Sequence, residues 1–167
     1  MGEIKSTLDL IMEKTKNLSL SPEEKEEIRR QDWLKKARGW IQKFLDDLLA
    51  MDRVKGELLN KEHPSGWEKI LKEELINGLE PEADNEKRFQ LIKELLGISP
   101  QGFIKILEGH HQRLDLERDK RMALIKSQLS NQGISGTAVI PNLEGDLTWK
   151  TFYEKATKTC QEEITGL

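Results

Sequence analysis

Residues 21–51 read SPEEKEEIRRQDWLKKARGWIQKFLDDLLAM, and this stretch decides the fold. Ser21 stands where a helix cap belongs, Pro22 occupies the first helical position, and Glu24 is placed to close a capping box. Behind that start signal Trp33, Leu34, Ala37, Trp40, Ile41, Phe44, Leu45, Leu48 and Met51 fill one side, with charges opposite. Three- and four-residue steps of this kind are the period of an amphipathic α-helix. Nothing before Lys61 forces a stop, so the spacing predicts one helix over 22–61, about 38 residues or about 57 Å at 1.5 Å per residue. Gly39 and Gly56 are its weak points, each costing about 1 kcal/mol relative to Ala, and either is a place for a bend.

Upstream, Ile4, Leu8, Ile11 and Thr15 mark a short helix over 3–17. Downstream, His63-Pro64-Ser65-Gly66 ends the long helix, and Ser65-x-x-Glu68 reads as a second capping box. Trp67, Ile70, Leu71, Leu75 and Leu79 then predict a helix over 66–77 with Gly78 as its C-terminal cap. Phe89, Ile92, Leu95 and Leu96 predict another, ending at Gly97. Ser99-Pro100 repeats the start device and opens the second long helix, about 100–132, with Phe103, Leu107, His111, Leu114, Arg118, Met122, Ile125 and Leu129 in near-heptad register. Residues 133–146 hold three glycines, one proline and the β-branched pair Val139 and Ile140, which breaks the period. A last helix begins near Leu147 and carries Trp149, Phe152, Tyr153, Ala156, Cys160 and Ile164. The fold class expected is all-α, a single-domain helical bundle over 1–167 with two long helices and about four shorter ones.

The chain of 167 residues is 36% apolar and 34% charged, against about 45–50% and 25% in an ordinary domain. Because the charges alternate with regularly spaced apolar residues, they read as solvated helix faces rather than as a disordered tail. A balance of 27 basic and 30 acidic side chains, net −3, supplies no whole-molecule field toward nucleic acid, which is therefore not an expected partner. No apolar run is long enough to span a membrane. Cys160 is the one cysteine, which excludes an intrachain disulfide and a cysteine metal cluster and points to a reducing compartment. Together with the absence of a basic-then-apolar leader, this places the protein in the cytoplasm as an expectation. Met1-Gly2-Glu3-Ile4-Lys5-Ser6 also fits the short myristoylation pattern of a eukaryotic chain.

Gly2-Glu3-Ile4-Lys5-Ser6-Thr7-Leu8 and Gly133-Ile134-Ser135-Gly136-Thr137-Ala138-Val139-Ile140-Pro141-Asn142 resemble segments of small all-helical bacterial proteins classed as domains of unknown function. The resemblance implies an all-α fold and a bacterial source, which would remove the myristoylation reading. It transfers no residue role.

Three constellations bear on chemistry. Glu108 and His111 have the Glu-x-x-His spacing of di-iron carboxylate bundles, but a second such pair is missing, so His110 and His111 with nearby carboxylates make at most a metal site shared in a dimer. The plainer expectation is a core-edge His111 hydrogen-bonded to Asp115. Arg118 takes a stripe position that periodicity assigns to Leu, and is expected either to snorkel or to meet an acid such as Asp115. Arg29, Lys36 and Lys43 line up beside Trp33 and Trp40. Residues 29–43 carry net +5 and residues 23–27 net −3, a local cationic face suited to phosphates or an anionic surface, or else ordinary boundary solvation. No catalytic residue, metal ligand or cofactor is assigned.

Helices of 38 and 30 residues exceed the reach of a compact bundle, and exposed aromatics along one of them favour self-association. The leading expectation is a non-catalytic interaction or scaffold protein, a homodimer that also meets a protein partner. Its candidate interaction surface is Arg29, Trp33, Lys36, Trp40, Lys43, Arg118, Val139, Ile140 and Leu143. Val139, Ile140 and Leu143 either pack as a lid or meet the partner. The alternatives are a nucleic-acid or anionic-surface module through Arg29–Lys43, and a metal-binding enzyme using His110 and His111.

Overall fold

A computed structural model describes residues 21–59 and 63–167. The helix expected over 3–17 and the myristoylation pattern lie outside them. The described chain is all-α, with no strand among the described residues: α1 (Pro22–Leu45), α2 (Met51–Leu59), α3 (Trp67–Asn77), α4 (Glu86–Leu96), α5 (Gln101–Asn131), a 3₁₀ turn (Leu143–Gly145) and α6 (Leu147–Thr165). It divides into two compact units, one up to Leu71 and one from Lys72.

In the first unit α1 packs against α2. The Ser21 capping box forms: the Glu24 N–H donates to Ser21 Oγ at 3.1 Å, and the Ser21 N–H donates to Glu24 Oε2 at 2.7 Å. Trp33, Ala37, Ile41 and Phe44 are the buried face of α1, and Val54 and Leu58 that of α2. The stretch expected as one helix over 22–61 is broken at 46–50, and neither Gly39 nor Gly56 is the break, since both lie inside helices. The cause is a Schellman end. Asp47 takes the left-handed conformation at φ 58°, its N–H donates to the Phe44 carbonyl, and the Leu48 N–H donates to the Lys43 carbonyl at 2.8 Å. A glycine is the usual signal for that geometry, and aspartate is among the few other residues that tolerate it.

In the second unit α5 and α6 pair, with the 3₁₀ turn against both. Phe103, Leu107, His110 and Leu114 form the buried face of α5, and Cys160 and Ile164 that of α6. Burial pushes the Cys160 thiol up, and Glu163 adds to the effect. Asp146 caps α6 by accepting from the Trp149 N–H at 2.8 Å and also receives Arg121 Nη2 at 2.5 Å. The start of α6 therefore lies beside Arg121, ten residues before α5 ends at Asn131. Ten helical residues span about 15 Å, so the chain must retrace that distance, which accounts for the length of the 133–146 connection. Pro141 is buried along it and Val139 and Leu143 are half-buried, whereas Ile140 is 81% exposed. The connection is thus a strap held at Pro141 and Asp146, and Ile140 is not part of a lid.

Candidate anion-binding cleft

The capping box fixes where α1 starts, and its 3.6-residue period places Arg29, Lys36 and Lys43 along one edge of the helix, beside the Trp33 and Trp40 edge. Trp33 is 6% exposed. Its ring meets Trp67 edge-on with centroids 5.9 Å apart, and meets His63 edge-on at 6.2 Å. His63 in turn stacks on Trp67 at 4.4 Å and 29°. The carboxylate of Glu26 pins this wall from α1 by accepting the Ser65 N–H at 2.8 Å, and that bond, ahead of the charges of Arg29 and Arg30, holds the Glu26 carboxyl below its usual range. The Ser65 N–H is therefore spent on α1.

Above this aromatic cluster opens a cleft of about 540 Å³ lined by Arg29, Asp32, Trp33, Lys36, Trp40, His63 and Pro64. Four of the residues expected on the cationic face, Arg29, Trp33, Lys36 and Trp40, come together in it. Lys43 is on the same stripe but not in the lining, and Arg118, Val139, Ile140 and Leu143 belong to the second unit. Among the described residues Lys36 and Asp32 have no ion-pair partner, and the acid acting on Arg29 is Glu26, whose carboxylate already holds Ser65. Two buried polar atoms of the wall are also unpaired: the Trp33 indole nitrogen and His63 Nδ1. The other His63 nitrogen lies 3.2 Å from the Leu59 carbonyl, an acceptor, and so carries a proton. Chemically the cleft offers two cations, one carboxylate acceptor and aromatic surface. It offers no nucleophile with an activating base.

No protein-family model matches the chain, and no curated protein or solved structure matches it.

In the second unit the histidines exchange the expected places. His111 is exposed and Asp115 pairs with Arg118 at 2.9 Å, both side chains more than half exposed, so the expected His111–Asp115 bond is absent and Arg118 is a surface ion pair. The buried one is His110, fully enclosed, with neither ring nitrogen hydrogen-bonded and Glu82 Oε1 3.8 Å from Nε2. Burial pushes the His110 imidazole below its ordinary value, and the charge of neighbouring His111 acts in the same direction while Glu82 opposes both. Steps of four, three and four from Phe103 give Leu107, His110 and Leu114, the a/d pattern; reading the stripe through His111 missed this by one residue. No group of three or more His, Cys, Asp or Glu among the described residues could hold a metal ion.

Proposed function

We propose that the protein is a non-catalytic interaction protein whose recognition surface is the cationic–aromatic cleft of α1, and that it binds an anionic group there. The observation that carries this reading is the disposition of charge at the cleft mouth. Among the described residues Lys36 and Asp32 have no ion-pair partner on a helix face next to a packed aromatic wall, and the acid acting on Arg29 is Glu26, which also holds the Ser65 N–H. A cation held beside an apolar floor loses part of its hydration and gains by meeting an anion, and Arg adds a planar donor fork suited to phosphate or carboxylate. Isothermal titration of inorganic pyrophosphate into the full chain at low salt tests the reading. Binding is expected for the natural sequence and not for Arg29→Gln/Lys36→Gln, and equal binding by both would refute it.

Self-association remains a second reading, favoured by one specific feature of the strap. Ile140 is 81% exposed and Leu147, two residues beyond the 3₁₀ turn, is 77% exposed, an apolar display that isolated monomers tend to avoid. Light scattering at tens of micromolar is expected to give twice 19.3 kDa and to return to one chain in Ile140→Ser/Leu147→Ser. A monomer mass for the natural chain contradicts it.

A further inference from the structure

We infer that the ligand of the α1 cleft is a nucleotide whose base carries an amino group, such as an adenine nucleotide, with its phosphates on Arg29 and Lys36; this rests on the anion-binding reading above. Three features of the lining select it over a bare anion. The cleft volume of about 540 Å³ falls in the roughly 300–1,000 Å³ range of small-ligand sites and exceeds what a simple oxyanion fills. The half-buried rings of Trp40 and His63 supply π surface at the wall, and a planar base stacks on such surface whatever its sequence context. Finally Asp32 stands between the two cations along α1, without an ion-pair partner among the described residues and, as a carboxylate, able only to accept. A carboxylate in an anion site repels a ligand that has no donor, so its presence calls for a group that donates, as an exocyclic amine does.

A free nucleotide and a nucleotide within a single strand share this chemistry. The structure favours the free form. Arg29 and Lys36 are seven residues apart, about 10.5 Å along the helix, and Asp32 offsets one of these two cations of the lining. The chain as a whole is net −3. Binding a strand depends on many neutralised phosphates, and this cleft offers too few cations for that.

The test uses calorimetry together with tryptophan fluorescence on the full chain, with ADP, adenosine, inorganic pyrophosphate and a short single-stranded oligodeoxyadenylate as probes. ADP is expected to bind one to one and at least about tenfold tighter than pyrophosphate, the scale of stacking one base. Quenching of the cleft tryptophans is expected to accompany it. Arg29→Gln/Lys36→Gln is expected to weaken ADP by at least about tenfold, and Asp32→Asn to weaken ADP while strengthening pyrophosphate. Equal affinity for ADP and pyrophosphate, both lost in the Arg29→Gln/Lys36→Gln variant, would overturn the nucleotide and leave the anion site standing. Tighter, steeply salt-dependent binding of the oligonucleotide would overturn the free form. Failure of every phosphate probe would overturn both readings. All three substituted side chains are exposed, and coincident melting curves verify that the variants are folded.

Discussion

The cations of α5 and those of α1 both stand on long amphipathic helices, yet they live differently. On α5, Arg113 meets Glu163, Arg118 meets Asp115, Lys120 meets Glu117 and Arg121 meets Asp146. Along the cationic stripe of α1, Lys36 and Lys43 meet no acid among the described residues, and Arg29 faces one already engaged. Of the first set, Arg113 and Arg121 tie α5 to α6 and its cap, most firmly at Arg121 and Asp146, whose side chains are only 19% and 12% exposed, while Arg118 and Lys120 form surface pairs within α5. The α1 set makes no such tie among the described residues and is available to something outside the fold. A charge consumed by the fold should matter to stability, and a charge left over should matter to binding.

The largest expected effect comes from removing the floor on which the α1 set rests. Trp33→Ala deletes a ring buried against Trp67 and His63, and a loss of about 3–5 kcal/mol in denaturant unfolding is expected. If the first unit keeps its stability, Trp33 is not the floor and the contrast with α5 loses its basis. Next is Asp146→Ala, which removes the cap of α6 and strands Arg121 in a largely buried place. A lowered melting temperature is expected, recovered in part by Asp146→Asn, which can still cap. An unchanged melting temperature would mean that the α5 pair is as idle as the α1 cations.

How far these features were legible in the sequence depends on whether a residue type announces its geometry. Both long helices end in the same Schellman motif. At Gly133, φ 80°, the Ile134 N–H donates to the Leu129 carbonyl and the Gly133 N–H to the Ser130 carbonyl, and the glycine marks the stop near 132. At Asp47 the motif is identical, but the run Leu45-Asp46-Asp47-Leu48-Leu49 keeps its apolar residues near helical spacing, so the 22–61 segment read as continuous. The cleft was half legible. Arg29, Trp33, Lys36 and Trp40 follow from one helix period, while His63 and Pro64 arrive from a segment some thirty residues away that meets α1 through the Glu26–Ser65 bond and the Trp33–His63 ring contact, long-range pairings that periodicity does not encode. Asp146 reads as a loop end; only the antiparallel return of the strap along α5 brings it to Arg121.

A smaller effect sharpens the contrast from the side of pH. Burial depresses the His110 value below the ordinary 6.5 or so. Above that pH neither the folded nor the unfolded chain binds the proton, and stability is unaffected. As pH falls below about 6.5 the unfolded chain takes up a proton that folded His110 refuses, and stability declines until the folded value is reached. The Asp146 carboxyl, held low chiefly by the Trp149 N–H and then by Arg121, contributes stability that is lost only at more acid pH, as it becomes protonated. Melting temperatures followed from pH 8 to pH 5 are expected to fall, with a shallower fall in His110→Gln. Parallel curves would mean that His110 does not set this decline.

The most direct test of the central claim is thermal melting of the natural chain and of Arg29→Gln/Lys36→Gln, each with and without millimolar pyrophosphate. A ligand bound only by the folded state raises the melting temperature by mass action. Coincident melting is expected without pyrophosphate, since these exposed cations bear no structural load, and an upward shift with it in the natural chain alone. A lower melting temperature in the double variant, with the same pyrophosphate response in both proteins, would contradict it.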